Sequence, residues 1–472
     1  MGMNWNQLLC GSRVKPLMTG VATKAAQGEA RSEFEKDYGR AIFSTPVRRL
    51  QDKAQVFPSD PSDVVRTRLT HSQEVSAVSR DLARAVGRWL LEAGQIQSYS
   101  QVESIESIAA TCGIIHDLGN PPFGHSGEAA IRDWFSKQKE KSPSFLDFGG
   151  DDHRQSQLQS DFLHFEGNAQ TIRIVSKLQV LTDLYGLNFT CGTLSAACKY
   201  IAASDKMSKD KERKKPGYFA SEADRVSRIQ SETGTGEARN PLTYVVEASD
   251  DIVYSLADIE DAIKKKVITW KEVEADLEAA VKDCLPAKQL LEKILSDVTK
   301  YIGAGLMPSN MSGLGEIKSQ VFRTMAMRQT VPSVFAAFKT NYLAIMAGDY
   351  HRELIEDCSA SLLILACQDV ARTRIYSHPE IIKREVAGQR VIHDLMDIFW
   401  EGVDNFPYKD GTRTYAGKVY YLMSENYRAV FEATVRGNSL PLRYCKLQLV
   451  TDYVCGMTDS FACLLHKQLT NG

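Results

Sequence analysis

The sequence predicts a mainly α-helical fold, and three observations carry that reading. Val75, Val78, Leu82, Val86, Trp89 and Leu90 recur at three- and four-residue spacing, the period of one helix face. Ser361–Arg372, Pro379–Val403, Tyr420–Val435 and Leu442–Leu469 are long and mostly free of strand alternation. No run of β-hairpins and no internal repeat is visible.

Taken in order, the elements begin with an N-terminal stretch that leaves room for a short β-hairpin near Val14–Val21 or Val47–Phe57. His71 then opens the helix that Gly94 closes; a lone histidine at a helix start is more often a surface or capping residue. Gln101–Ile115 places Val102, Ile105, Ile108, Ala109, Cys112 and Ile115 on one side and stops at Gly119, Pro121 and Pro122. Lys137–Ser160, with Pro143, Gly149-Gly150 and Asp151-Asp152, reads as an insertion loop. So does Ala203–Pro241, which begins with the charged run Lys206–Lys215; Lys209, Lys211 and Arg213 read there as solvated. In Tyr244–Asp261, at about 100° per residue, Asp250, Tyr254, Asp258 and Asp261 fall on one stripe and Val245, Ile252, Leu256 and Ile259 on the opposite one. Such a stripe is usually the wet face of an amphipathic helix, but an Asp–Tyr–Asp stripe equally suits the wall of a metal-and-phosphate cleft.

Composition narrows the class. A chain of 472 residues is long enough for one large core or two to three ordinary domains. The net charge of −2 gives no overall argument for nucleic acid, although a local basic patch stays compatible with it. Ten cysteines occur without a CxxC pair, as expected of reduced thiols in a cytoplasmic protein. Leu8-Leu9-Cys10 is too short for a signal-peptide core, and no apolar run approaches the roughly 20 residues that span a bilayer.

The most informative stretch is Cys112–Glu128, CGIIHDLGNPPFGHSGE. His116 and Asp117 can each give one ligand to a divalent cation, a hard oxygen beside an imidazole nitrogen. His125, with Glu128 three residues on, can supply acid–base chemistry beside that metal; the competing reading of His125 is a structural cap after the Pro-Pro turn.

His71, His116-Asp117 and Asp250, in that chain order, resemble the H…HD…D signature of the HD metal-dependent phosphohydrolases. YGRAIFSTPVRRLQDKAQVFP (Tyr38–Pro58), RTRLTHSQEV, HDLGNPPFGHSGE, FEGNAQ (Phe165–Gln170), KPGYFASE (Lys215–Glu222), EASDDIVYSLADIEDA and DYVCGMTD (Asp452–Asp459) resemble the deoxyguanosine triphosphate triphosphohydrolase family more closely still. Order and approximate spacing match from about residue 30 to the C-terminus, and Asn120 is similar to the long bacterial branch.

That resemblance implies an HD-domain helical core with additional C-terminal helices. Residues 1–60 would form an arm and substrate-contacting segment, 61–265 the catalytic core with insertions at about 137–160 and 203–241, and 266–472 a helical region packing on the core and on neighbouring subunits. It implies hydrolysis of a deoxynucleoside triphosphate, dGTP above all, to deoxynucleoside and inorganic tripolyphosphate, limiting the cellular dNTP pool. His71, His116, Asp117 and Asp250 would hold one Mn²⁺ or Mg²⁺, with Fe as a further option, and His125 and Glu128 would form the catalytic pair. Gln55, Tyr254 and Asp258 would approach the deoxyribose, Arg68, Lys199 and Lys215 the phosphates, and Asn120 the substrate. Asp251, directly after the last ligand, adds negative charge that Lys199, Lys215 and Arg68 would offset. The family also implies a homo-hexamer or tetramer and single-stranded DNA as a modulator, touching Arg31–Arg49 or Lys206–Lys215. Two other readings compete: a different HD enzyme such as a 5′-nucleotidase or phosphodiesterase, which would lack these motifs together, and a nucleotide- or DNA-binding regulator, which would show a broken ligand set.

Overall fold

Helix caps and prolines set the order of elements. The structure, a computed structural model, describes residues 2–21, 29–57, 64–149, 152–179, 183–303, 313–407 and 411–470. Pro58 of the first long motif and Gly150 and Asp151 of the first expected loop lie outside them.

Thr67 opens helix α1 (Arg68–Glu92): its hydroxyl accepts from the Thr70 amide while the Thr70 hydroxyl accepts from the Thr67 amide. Two otherwise orphaned donors are thereby satisfied. α1 buries His71, Val75, Leu82, Val86 and Leu90, and Gly94 follows its end in the left-handed region. α2 (Tyr99–Ile115) packs along α1 and is buried on all sides from Ile108 to Ile115, so its end delivers His116 into the interior. The Pro-Pro turn ends this run, and α3 (Gly124–Lys141) starts after Phe123 at φ +64°.

The two stretches expected as loops are largely regular. In 137–160, α3 continues to Lys141, a short 3₁₀ turn covers Pro143–Leu146 and α4 (Asp152–Leu163) follows. Phe145, Leu146, Phe148, Leu158 and Phe162 anchor this segment in the core; its Ser and Gln content masked that apolar pattern. Beyond α5 (Gly167–Arg173) and α6 (Cys191–Ala197), the second stretch holds strand β1 (Ala202–Ala203), strand β2 (Pro216–Tyr218) and α7 (Ala223–Thr233), which buries Val226 and Ile229. β1 and β2 form a two-stranded parallel sheet. The hairpin sites entertained near the N-terminus are instead the helices Val14–Thr19 and Thr45–Arg49, each followed or preceded only by single bridges, Arg13 to Thr190 and Ala54 to Thr67.

α8 (Pro241–Lys264) starts where Asn240 accepts from the Leu242 amide and Pro241 sits at the first helical position. Almost every side chain on it is buried, including Glu247, Asp251, Asp258 and Asp261, so its polar stripe is no solvent face. α9 (Leu314–Ala347) and α10 (Ser361–Val370) pack against it, and a wider π-type turn, Ala371–Ile375, leads to Tyr376. α11 (Pro379–Asp404) matches its expected span. The next two expected helices are each split. Tyr420–Val435 falls on Tyr415–Leu422 and Glu425–Gly437, because Met423 is extended. Leu442–Leu469 divides at Gly456 into α12 (Leu442–Cys455) and α13 (Asp459–Leu469), the latter capped by the Thr458 hydroxyl.

The apolar residues gather into two large cores. One joins α1, α2, α8, α9 and α10. The other joins α3, α4, α11 and the C-terminal helices. The chain is mainly α, as expected. Among the described residues no helix is long and apolar enough to cross a membrane.

Candidate active site

A cleft of about 650 Å³ opens between the two cores, lined by α1, α2, the Pro-Pro turn, the start of α3, and α8. It gathers residues that the sequence keeps far apart. His71 comes from the first turn of α1, His116 and Asp117 from the end of α2, and Asp250 from α8. The ligand atoms of His71, His116 and Asp117 all lie within 4.8 Å of one another. Asp250 Oδ1 is 3.0 Å from His71 Nε2 and 3.5 Å from His116 Nε2.

The chemistry of this donor set fits a divalent cation. His116 Nδ1 is 2.8 Å from the Gly113 carbonyl, which requires the proton on Nδ1 and turns the Nε2 lone pair towards the carboxylates. That Nε2 is buried and has no hydrogen-bond partner. Asp117 stays ionised despite burial, because Arg68 and the two histidines hold its carboxyl far below the usual carboxylate range. Burial likewise opposes charge on Asp250, but His116 and His71 bring its pKa to about 2. Two imidazole nitrogens and two carboxylates can thus serve one divalent ion, a mixed nitrogen–oxygen donor set rather than an all-oxygen one.

Beside it stands the His125–Glu128 pair. His125 is the first-turn residue of α3 and its side chain is 83% exposed, whereas Glu128, one turn further, is buried. Glu128 Oε2 lies 3.2 Å from His125 Nδ1, and Oε1 accepts from the Gly167 amide at 2.8 Å. Burial would raise the Glu128 pKa, but the hydrogen bond and charge of His125 hold it below its ordinary value. Gly167 is required by this contact: a Cβ there would sit 2.6 Å from Glu128 Oε1 and 2.5 Å from Asn120 Oδ1. Gly124 is required twice, by φ +60° and because a Cβ would strike the Arg68 guanidinium.

Comparisons with known proteins identify the family. Residues 68–229 match the HD domain model, and residues 359–468 match a phosphohydrolase-associated domain. A deoxyguanosinetriphosphate triphosphohydrolase-like protein of Listeria monocytogenes is 36% identical over 99% of both chains. The deoxyguanosinetriphosphate triphosphohydrolase of Serratia proteamaculans is 32% identical over 91% of this chain and 92% of its own. The chain belongs to the deoxyguanosinetriphosphate triphosphohydrolase family. Within this family member Asp250 lies beyond the matched HD stretch, so the fourth residue of the cluster comes from the helix that follows it.

The other expected residues all line the cleft. Gln55 presents a buried carbonyl oxygen without a partner. Arg68 donates to Asp117 Oδ2, and Asn120 donates from its amide to Asp117 Oδ1 at 2.5 Å, so each oxygen of that carboxylate is held. Lys199 lies 3.8 Å from Glu247 and Lys215 3.0 Å from Glu166. Burial opposes the Lys199 charge, but Glu247 and Asp250 keep it protonated well above the ordinary lysine range. Burial pushes the Tyr254 phenol up and raises Asp258 to about 7, against the hydrogen bond Asp258 accepts from Tyr376 at 2.5 Å. Asp261, on the same stripe, leaves the cleft: it accepts from the Arg66 side chain at 2.5 Å and from the Arg66 amide at 2.9 Å.

Sequence reasoning missed several lining residues. Tyr376 follows the π-type turn, with no local pattern to announce it. Lys211, read as solvated, is clamped between Glu353 and Glu356 at 3.1 and 2.9 Å, and Lys214 lies 3.5 Å from Glu353. Arg213 is likewise paired, with Glu237 at 2.9 Å. Glu166 stood inside the FEGNAQ motif, so a signal for it was present.

Proposed function

We propose that this protein is a metal-dependent deoxynucleoside triphosphate triphosphohydrolase, acting on dGTP by preference and releasing deoxyguanosine and inorganic tripolyphosphate. One observation carries the reading. His71, His116 and Asp117 have ligand atoms within 4.8 Å of one another, Asp250 Oδ1 lies 3.0 and 3.5 Å from the two histidines, and His125, paired with Glu128, lines the same cleft. A ligand set broken at any position would have favoured a binding protein; all four residues are present in the sequence.

A divalent ion held by these four side chains, Mn²⁺ or Mg²⁺ with Fe as a further option, would polarise the α-phosphate as a Lewis acid. The chain's own residues do the rest. Arg68, Lys199 and Lys215 neutralise a polyphosphate that brings about four negative charges. Glu128 fixes the proton of His125 on Nδ1, which leaves Nε2 to handle the proton of water or of the departing 5′ oxygen. Gln55 and Asp258 offer hydrogen bonds to the sugar 3′-hydroxyl side, and Tyr254 closes the space a 2′-hydroxyl would need. We assign the protein to the cytoplasm, as a homo-hexamer or tetramer open to modulation by single-stranded DNA.

The test is product analysis. Purified protein with Mn²⁺ is given each dNTP and GTP separately, beside a His116→Ala Asp117→Ala control, and products are resolved by anion exchange. Tripolyphosphate with deoxyguanosine from dGTP, absent with GTP and in the control, is expected. Pyrophosphate or stepwise phosphate release would point to another HD chemistry, and silence with every dNTP, with and without single-stranded DNA, would overturn the enzyme reading.

A further inference from the structure

Arg48–Val56, within the Tyr38–Pro58 motif, and the Asp452–Asp459 motif have no direct place in the chemistry beyond Gln55, yet they meet directly beneath the Pro-Pro turn. Lys53 is 3% exposed, and its ammonium donates to the carbonyls of Asn120 at 2.5 Å and Cys455 at 3.0 Å. The Cys455 thiol donates to the Gly119 carbonyl at 3.1 Å. Asp459, also buried, accepts from the Phe123 amide at 3.0 Å through Oδ1 and from the Ala54 amide at 3.0 Å through Oδ2. The Lys53 carbonyl in turn accepts from the Arg68 amide at 2.8 Å.

Burying an ammonium against neutral carbonyls is costly, and an apolar side chain would fill the same space without that cost. What the lysine adds is a link. It grips Asn120, whose side-chain amide grips Asp117, while its own backbone, two residues before Gln55, holds the first amide of α1 at Arg68. Asp459 grips Phe123, the residue in the left-handed region from which α3 and His125 depart. Neither Lys53 nor Asp459 lines the cleft.

We infer that Lys53 and Asp459 are positioning residues of the hydrolase, through which the C-terminal helices α12 and α13 set the metal ligand Asp117 and the acid–base residue His125. The inference rests on the function proposed above, and the two residues have separable tasks. Lys53 acts on Asp117 through Asn120, so it tunes metal affinity. Asp459 acts on the Phe123–His125 backbone, so it tunes turnover at saturating metal.

The full-length Lys53→Met and Asp459→Asn variants test this. Mn²⁺ affinity is read from the free-ion EPR signal, kcat and KM are measured for dGTP at saturating Mn²⁺, and melting is followed in parallel. Partners behind a metal ligand are worth roughly 10–100-fold in affinity or activity. Lys53→Met is therefore expected to weaken Mn²⁺ binding by about tenfold. Asp459→Asn is expected to lower kcat by about tenfold with Mn²⁺ affinity and KM within about threefold of the parent. A fall in melting temperature with Mn²⁺ affinity and kcat per folded molecule unchanged would show a purely structural role and overturn the inference. Should Lys53→Met yield no folded protein, the near-isosteric Asp459→Asn decides on its kcat-against-affinity split. A parent protein inactive on all dNTPs would refute the function proposed above, while the Mn²⁺ titration of Lys53→Met would still decide the link to Asp117.

Discussion

Replacing Glu128 by Gln changes one oxygen into an amino group and little else, yet the hydrogen-bond geometry makes its effect large. The Gly167 amide donates to one side-chain oxygen of Glu128 at 2.8 Å, so a glutamine must place its carbonyl there to avoid confronting two donors. Its NH₂ then faces His125 Nδ1, 3.2 Å away in the parent. A donor opposite Nδ1 forces that nitrogen to accept, moving the imidazole proton to Nε2, and it equally disfavours the imidazolium. As a base His125 would have the wrong tautomer; as an acid it would lose its charged form. Acid–base catalysis is worth about 10²–10⁴-fold, or roughly 3–5 kcal/mol of barrier. The expected outcome is a kcat for tripolyphosphate release lower by that factor, with KM, bound Mn²⁺ and melting temperature close to the parent's. A kcat within about threefold of the parent, or a loss that tracks metal content, would refute the assignment of this pair.

Three further outcomes follow from the same structure. Tyr254→Ala opens the space next to the sugar and is expected to raise GTP turnover relative to dGTP by about tenfold, measured as the ratio of initial rates. Arg173→Met leaves the buried carboxylates of Asp452 and Glu222, which its guanidinium holds at 2.6 and 2.8 Å, without their counter-charge. The expected loss is about 3–5 kcal/mol, read as a lower calorimetric melting temperature. Burial lowers the Lys53 pKa from 10.5 to about 8, so below pH 8 its charge costs the folded state about 3 kcal/mol relative to the unfolded chain. That cost is relieved as pH rises from 8 to 10.5, where the unfolded chain still holds the proton and the folded one does not. The parent should gain stability relative to Lys53→Met across that window in urea titrations, and parallel curves would refute the shift.

The helices were legible because their period and stops are local. Thr67, Gly94, Pro121-Pro122, Asn240-Pro241 and His378-Pro379 each mark an end by capping or by lack of an amide. The segment 137–160 was not legible as helix because its order comes from Phe145 and Phe148 docking on Trp400 and Tyr444, hundreds of positions away. The four proposed metal ligands could be listed from the sequence through the resemblance to the H…HD…D signature; taken singly, His71 reads as a helix-start residue and Asp250 as one member of a polar stripe. Their convergence through α8 needed the fold. Tyr376 and Glu353 were invisible for the opposite reason: a tyrosine after a turn and a glutamate before a short helix are common, and only the cleft gives them meaning.

Charge pairing across the cleft gives the site its electrostatic logic. Each cation facing the cavity already has a carboxylate: Arg68 has Asp117, Lys199 has Glu247, Lys215 has Glu166, and Lys211 and Lys214 share Glu353. Without substrate these pairs spare a like-charged cavity its self-repulsion. On the proposed function a triphosphate would compete with glutamates for the lysines, so its binding would be an exchange of partners, the gain being the difference between two ion pairs. Asp251, which by sequence alone adds charge beside the ligands, has a buried Oδ2 without a partner, and burial pushes its carboxyl well above the usual range. It therefore opposes the triphosphate less than a free carboxylate would. With Asp117 and Asp250 turned to the metal on the proposed function, the carboxylates that pair with the cleft lysines are Glu166, Glu247, Glu353 and Glu356, and neutralising any of them is expected to tighten the hold on a polyphosphate.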